Sequence, residues 1–542
     1  MKVSGYDYVI VGGGSAGCVL AARLSEDAGV RVLLLEAGGS DASPLIRAPG
    51  GLLPIMLSGA HAWRYQSAPQ RHLDNRVMYL PRGKVLGGGS SINGMVYDRG
   101  FASDFDLWAR EGNQGWSYAE VLPYFKRLER FHGGASAFHG GDGPIQVNRS
   151  GVKHPFARAF IEAGVQAGHP YNDDSNGETR EGFSPVDVTI ARGVRSSTSS
   201  TYLAAARSRP GLTVITGAHA LRILMEGQRA VGVEYLHKGE VKTARAEREV
   251  LLTAGAINSP QLLMLSGIGD GEHLRGHGIG VRHELPGVGQ GLQDHLAVVV
   301  KFESTQPISL FKYFNPFHGA LAMARYLFVR QGPLADPGME ACAFVRSTPE
   351  AVEPDIKMLL VMALYSNNGR DLSPKHGFAA HTNVIRPSSR GSVSLAGADP
   401  LAAPVIDQNY LGSEDDRRIA RASVRRAREV FAQKAFDPFR GPEMEPGTAV
   451  QTDAEIDAFI RAKAEADYHS VGTCRMGQDA GAVVDAGLRV RGLEGLRVVD
   501  ASIMPHMIGG NTNIPVIMIA EKAADMIRGR PPLPRSSLAG GG

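Results

Sequence analysis

A chain of 542 residues, 43% apolar and 21% charged, is long enough for more than one domain and ordinary in composition for a globular protein. Lys and Arg number 58 against 55 Asp and Glu; a net charge of +3 with no Lys/Arg block excludes nucleic acid as an expected partner. Cys18, Cys342 and Cys474 are too few for a disulfide framework and lack metal-ligand spacing, no apolar run is long enough to span a bilayer, and no signal-peptide h-region is present, so a cytoplasmic protein without a metal is expected.

The first apolar run, YVIV at 8–11, predicts a buried strand. It leads into GGGSAG at 12–17, where Gly12, Gly14 and Gly17 have the spacing G-x-G-x-x-G. Residues 18–24 predict a helix, and 30–35 a second strand that ends in Glu36. Strand, glycine loop, helix, strand and acid in this order form a dinucleotide-binding fingerprint. Gly12 allows the tight turn, Gly14 a close approach to a pyrophosphate, and Gly17 close packing of helix on strand. The helix N-terminus faces the phosphates, and Glu36 stands where a carboxylate accepts ribose hydroxyls. The loop alone does not separate FAD from NAD.

Further glycine-rich segments follow: PRGKVLGGGSSINGMVYDRG at 81–100, TAGAINSPQLLMLSGIG at 253–269, LPGVGQGLQDH at 285–295, YHSVGTCRMG at 468–477 and VVDASIMPHMIGGNTNI at 498–514. With the first loop, these five ordered segments resemble the glucose–methanol–choline (GMC) oxidoreductases, FAD-dependent alcohol-oxidising enzymes, from near residue 6 to near residue 528. The branch that looks most similar is the choline-dehydrogenase-like and bacterial alcohol-dehydrogenase one. The resemblance implies an α/β fold, α+β overall. A Rossmann-like FAD-binding domain would be assembled from 1–150, 213–298 and 476–530. A substrate domain, an antiparallel sheet covered by helices, would come from 151–212 and 299–475. A tail at 531–542, rich in Pro and Gly, is expected to be disordered. The runs broken by Pro, Ser and Gly at 377–406 and the amphipathic helix expected at 414–431 suit the second domain.

The resemblance also implies the site. FAD would be held by Gly12, Gly14, Ser15, Ala16, Gly17, Glu36 and Ala37 of the first loop. A second loop, with Gly87, Gly88, Ser91, Asn93, Gly94, Met95 and Val96, would wrap the isoalloxazine and pyrophosphate. Ala220, in a strand expected at 216–223, would touch the adenine. Asp500 and Ala501, after a strand at 496–499, and Asn511, Thr512 and Asn513 would complete the set. Ile92 stands where some members carry the histidine that binds FAD covalently, which predicts non-covalent FAD. His469 occupies the family's catalytic-histidine position. Oxidising an alcohol needs a base that titrates near neutrality and a hydride acceptor, flavin N5. By sequence alone the same histidine reads as a buried, hydrogen-bonded one. Asn511 is its expected partner on the substrate oxygen. A helix at 514–528, capped by Asn513 with Pro515 near its first position, would point its positive end at the flavin.

Two features bear on substrate and partners. Glu340 falls where choline-oxidising relatives place a carboxylate, although no Trp or Tyr precedes it to build an aromatic cage. The segment 308–329, ISLFKYFNPFHGALAMARYLFV, is rich in Phe, Tyr and Leu; only 317–329 can be helical, because of Pro307 and Pro316. It reads either as a helix packed on the substrate domain or as an exposed lid or membrane-surface patch. The expected activity is alcohol dehydrogenation with a quinone or other carrier as acceptor, in the cytoplasm or peripherally at the inner membrane, with oligomerisation open. Alternatives are an oxidase using O2, choline dehydrogenation, a lyase on the same fold (hydroxynitrile lyase or fatty-acid photodecarboxylase) and a flavin-binding protein without catalysis.

Overall fold

A computed structural model describes residues 5–367 and 369–537 of the chain. Two seven-stranded sheets organise it. The first begins with Tyr6–Val11, whose β-branched and aromatic residues suit a strand buried on both faces. It is flanked in parallel by Val32–Glu36 and Glu240–Leu252, in register at Ile10–Leu34 and Ile10–Leu251. Leu212–Thr216 extends the sheet beside Val32–Glu36, and Leu496–Val498 joins Glu240–Leu252 in parallel. Arg229–His237 and Ala218–Glu226 continue it as an antiparallel meander. Val11, Glu36, Leu252 and Val498 therefore end on one edge, where ligands of parallel α/β sheets gather.

Boundaries differ from expectation where turns intervene. The strand predicted across 216–223 is broken at Gly217, which has φ +66, between Leu212–Thr216 and Ala218–Glu226. The second strand starts at Val32 rather than Val30, because the Val30 N–H closes a turn onto the Asp27 carbonyl at 3.0 Å.

The second sheet is antiparallel, in the order Arg440–Glu445, Leu296–Ser304, Gly377–Val384, Ile356–Val361, Ala341–Val345, Gly182–Pro185. The helix Glu414–Phe431 covers it, burying Ile419, Val424, Ala427 and Phe431 while its Arg-rich face meets solvent. A two-residue strand, Glu465–Ala466, pairs with Leu296–Ala297 and so brings residues 467–469 beside His295.

The last helix is Asn513–Ile527. Its cap is Thr512 rather than Asn513, so Pro515 is the third residue, still within the first turn where no N–H is used. The Asn513 side chain instead accepts a hydrogen bond from Ser15 Oγ at 2.7 Å. This helix packs on the first one, Ser15–Leu24, and Glu521 links it to Arg23 at 2.8 Å. Of the tail expected to be disordered, 531–537 instead lies along the helix Tyr118–Leu128: Leu533 N–H donates to Tyr124 Oη and Ser536 N–H to the Ala119 carbonyl. Residues 538–542 lie outside the described residues.

Candidate active site

The glycine loop is shaped by sterics at two positions. Gly12 has φ +105, and a Cβ there would sit 2.6 Å from the Thr253 carbonyl oxygen. A Cβ on Gly17 would lie 1.9 Å from the Gly12 carbonyl oxygen, so only glycine lets the first helix approach the strand. Glu36 is buried, and its two carboxylate oxygens accept the Gly13 and Gly38 N–H groups, both at 2.7 Å. Burial pushes its carboxyl up to about 7 against the pull of those N–H groups.

Two cavities meet at this edge of the first sheet and share Gly14, Trp63, Gly83, Thr253, Ala254 and Asn258. The smaller is lined by Gly12, Gly14, Glu36, Ala37 and Ala220. The larger, of about 790 Å³, is lined by Gly14, Ser15 and Ala16, by Gly88, Asn93, Gly94, Met95 and Val96, and by Asp500, Ala501, Asn511, Thr512 and Asn513. A narrow pocket ending at a buried carboxylate and running over bare glycine backbone into a wide apolar chamber fits FAD.

Four of the residues expected around the cofactor do other work. Gly17 is a packing contact and lines neither cavity. Gly87 and Ser91 also fall outside both: Gly87 N–H donates to the Gly13 carbonyl at 2.8 Å, and Ser91 Oγ to the Leu86 carbonyl at 2.7 Å, so they shape the second loop. Asp500 lies at the cavity wall, but its carboxylate is taken up by the protein. It accepts from Gly255 N–H, Ser259 Oγ, and the N–H and Oγ of Ser502, at 2.6–2.9 Å. Glu340 is not on the cavity wall. Its carboxylate accepts the His154 N–H at 2.9 Å, while Asp336, four residues earlier, lines the chamber.

The structure brings His469 and Asn511 together: Nε2 of His469 and Nδ2 of Asn511 are 3.0 Å apart at the wall of the large cavity. The surrounding hydrogen bonds settle where the protons sit. His295 Nε2 lies 2.9 Å from the Ile385 carbonyl, which can only accept, so that nitrogen carries hydrogen. Burial and the neighbouring His469 pull His295 down to about 3, so its ring is neutral and its Nδ1 is bare. That bare Nδ1 faces His469 Nδ1 at 3.0 Å, and Asp467 stands 3.1 Å from the same atom. His469 Nδ1 therefore carries hydrogen, and Nε2 is the ring nitrogen that faces Asn511 and the cavity.

The Asn511 amide is oriented in the same way. Its Oδ1 accepts from Lys357 Nζ, which also pairs with Asp98 at 2.8 Å; Asp98 in turn accepts the Asn511 backbone N–H at 3.2 Å. The amide NH₂ must then face His469. Burial alone would raise Asp98, but Arg180 and Lys357 hold it below the usual carboxylate range. Asp467 is likewise held well below that range, against burial, by His469 and His381; His381 Nε2 is 3.1 Å away. The backbone of His469 is fixed by Asp294, which accepts its N–H at 2.6 Å and the Ser470 hydroxyl at 2.9 Å. Tyr468, just before, takes the left-handed conformation at φ +65.

Sequence reasoning missed Asp98, Asp294, His295, Lys357, His381 and Asp467. Two signals were available. His295 ends the segment 285–295, and Lys357 is a lone cation in the apolar run IKMLLV.

The GMC oxidoreductase family models match residues 6–297 and 387–520. Oxygen-dependent choline dehydrogenases of Sinorhizobium fredii and Brucella ovis are each 48% identical over 533 residues, covering 98% of this chain and 97% of theirs. Pyridoxine 4-oxidase from Mesorbium loti superposes with a TM-score of 0.89 at 33% identity, over 97% of this chain and 100% of that one. Formate oxidase of Aspergillus oryzae gives 0.91 at 26% identity, over 98% and 99%. The chain belongs to the GMC oxidoreductase family, and FAD is its cofactor.

Proposed function

We propose that the protein oxidises a primary alcohol to the aldehyde, with His469 as general base and with a quinone or another carrier other than oxygen as electron acceptor. When bound, FAD supplies the hydride acceptor, N5 of its isoalloxazine. One observation carries the reading: His469 Nε2 and the Asn511 amide nitrogen, 3.0 Å apart, stand together at the wall of one cavity. An alcohol oxygen seated against both atoms from the cavity side, in place of their mutual hydrogen bond, gives its proton to Nε2 while the amide holds the alkoxide-like oxygen. The proton makes His469 a cation, and Asp467, 3.1 Å from Nδ1, is the anion that stabilises it. Lys357 withdraws electron density through Oδ1 and sharpens the Asn511 N–H as a donor.

Gly12, Gly14, Gly88 and the start of the Asn513–Ile527 helix would hold the phosphates and flavin, and Glu36 the ribose. Ile92 offers no nucleophile, and the neighbouring Ser90 and Ser91 hydroxyls donate to the Gly87 and Leu86 carbonyls, which favours non-covalent FAD. Acid precipitation should leave a colourless pellet and a yellow supernatant.

Choline as substrate is a second reading. It is favoured by the name of the 48% identical relatives and by Asp336, an anion at the chamber wall. Anaerobic stopped-flow bleaching of the flavin with aliphatic, aromatic and amino alcohols, choline among them, tests both. Reoxidation by air or by a soluble quinone then distinguishes oxidase from dehydrogenase. No bleaching by any alcohol would end the proposal.

A further inference from the structure

The segment expected to be either a packed helix or a surface patch is exposed. The helix Pro316–Val329 buries only Ala322 and Tyr326. On the opposite face, Phe317, Leu321 and Phe328 follow at i, i+4 and i+11 and are 74%, 61% and 87% exposed; Leu327 and Val329 extend the patch. Soluble surfaces rarely leave such a stripe to water without a use for it.

The charge along this segment is one-sided. From 304 to 335 the chain has no Asp or Glu, whereas Lys312, Arg325 and Arg330 bracket the apolar face. Apolar side chains between cations, without acids, are the composition of a helix lying in the interface of an anionic bilayer. A second copy of the chain suits the face poorly, since a twofold contact would set these cations against themselves. The inner side of the same segment forms part of the chamber: Tyr313, Phe314, Gly319, Ala322 and Met323 line the cavity that holds His469 and Asn511. One turn-and-helix unit thus has lipid-compatible residues outside and the active-site chamber inside.

We propose that Pro316–Val329 docks the protein on anionic phospholipid bilayers, flat on the membrane, with the mouth of the chamber against the headgroups. An acceptor or substrate dissolved in the bilayer then reaches the chamber without crossing water. The docking itself follows from the surface alone. Only the identity of what passes through rests on the function proposed above, so binding and turnover are measured separately.

The test is flotation of the FAD-loaded protein with phosphatidylcholine vesicles, with and without phosphatidylglycerol, at low and high salt. Binding is expected with phosphatidylglycerol at low salt and is expected to weaken as salt rises. The variant Phe317→Ser/Leu327→Ser/Phe328→Ser changes only exposed residues off the cavity wall. It should lose about tenfold or more in partitioning for each side chain that inserts, with alcohol-dependent reduction of a water-soluble dye unchanged. Lys312→Glu/Arg325→Glu/Arg330→Glu should abolish the preference for phosphatidylglycerol. Absence of flotation at low salt, or equal flotation of the serine variant, overturns the proposal. So does light scattering in which the protein is a dimer and the serine variant a monomer, which would give the face to a second copy. Normal flotation with no alcohol turnover would instead refute the catalytic reading and leave the docking standing.

Discussion

Replacing Asp467 by Asn removes one charge from the catalytic centre and almost no volume. The carboxylate stands 3.1 Å from His469 Nδ1. At an effective dielectric of about 20, its attraction for an imidazolium at that distance is on the order of 5 kcal/mol. His381 shares the same carboxylate, and an Asn oxygen still accepts the Nδ1 hydrogen, so the differential effect on the protonated base should be about 2–3 kcal/mol. That corresponds to a flavin-reduction rate lower by about 30- to 150-fold. The sign on pH follows as well. Losing an anion disfavours the protonated base, so the acid limb of the rate–pH profile should move to lower pH as the plateau falls. Anaerobic stopped-flow at saturating alcohol, with thermal melting as a control for folding, measures both. A plateau within twofold of wild type and an unmoved limb would show that Asp467 does not act on His469.

Asn511→Ala should lower the reduction rate about a hundredfold or more while FAD binding, read from visible absorbance, persists. Lys357→Met should lower the rate less than that but also lower the melting temperature, because Asp98 loses one of its two cationic partners; an unchanged rate would free the amide from its assigned orientation. Gly17→Ala puts a carbon 1.9 Å from the Gly12 carbonyl oxygen and should cost more than about 2 kcal/mol of stability together with FAD retention; a yellow, normally melting variant would contradict the packing argument. Asp98, Asp174, Glu129 and Asp467 all have carboxyls held below the ordinary range in the folded chain. Their stabilisation is complete above the unfolded-state value of about 4 and disappears as pH falls through their depressed folded values, so the melting temperature should drop steeply below about pH 4. A flat profile down to about pH 3 would refute this.

What could be read from the chain and what could not divide along physical lines. The glycine loop, its strands and Glu36 are local: their meaning lies in spacing within a few dozen residues, and the geometry matches it. The pairing of His469 with Asn511 was legible only through resemblance, since 42 residues separate them and no periodicity joins them. The proton arrangement was not legible at all. It depends on Ile385, His295 and Asp467 meeting across strands of the second sheet, and on Lys357 reaching Asn511 from a strand more than 150 residues earlier. Glu340 shows the opposite failure. Its position in the sequence suggested a substrate contact, but its carboxylate accepts the His154 N–H instead. The apolar segment at 308–329 left two readings open because composition does not say which face of a helix meets the core.

The union of the first and last helices, through Ser15–Asn513 and Arg23–Glu521, has a temporal consequence. At ribosomal speeds of about 5–20 residues per second, roughly 25–100 s pass between the emergence of the first loop and of its closing helix. Through that interval the nascent chain exposes an unfinished cradle with no complete partner for a nucleotide. A truncation that removes the last helix leaves Ser15 and Arg23 without these partners and should yield a colourless product however intact its N-terminal half.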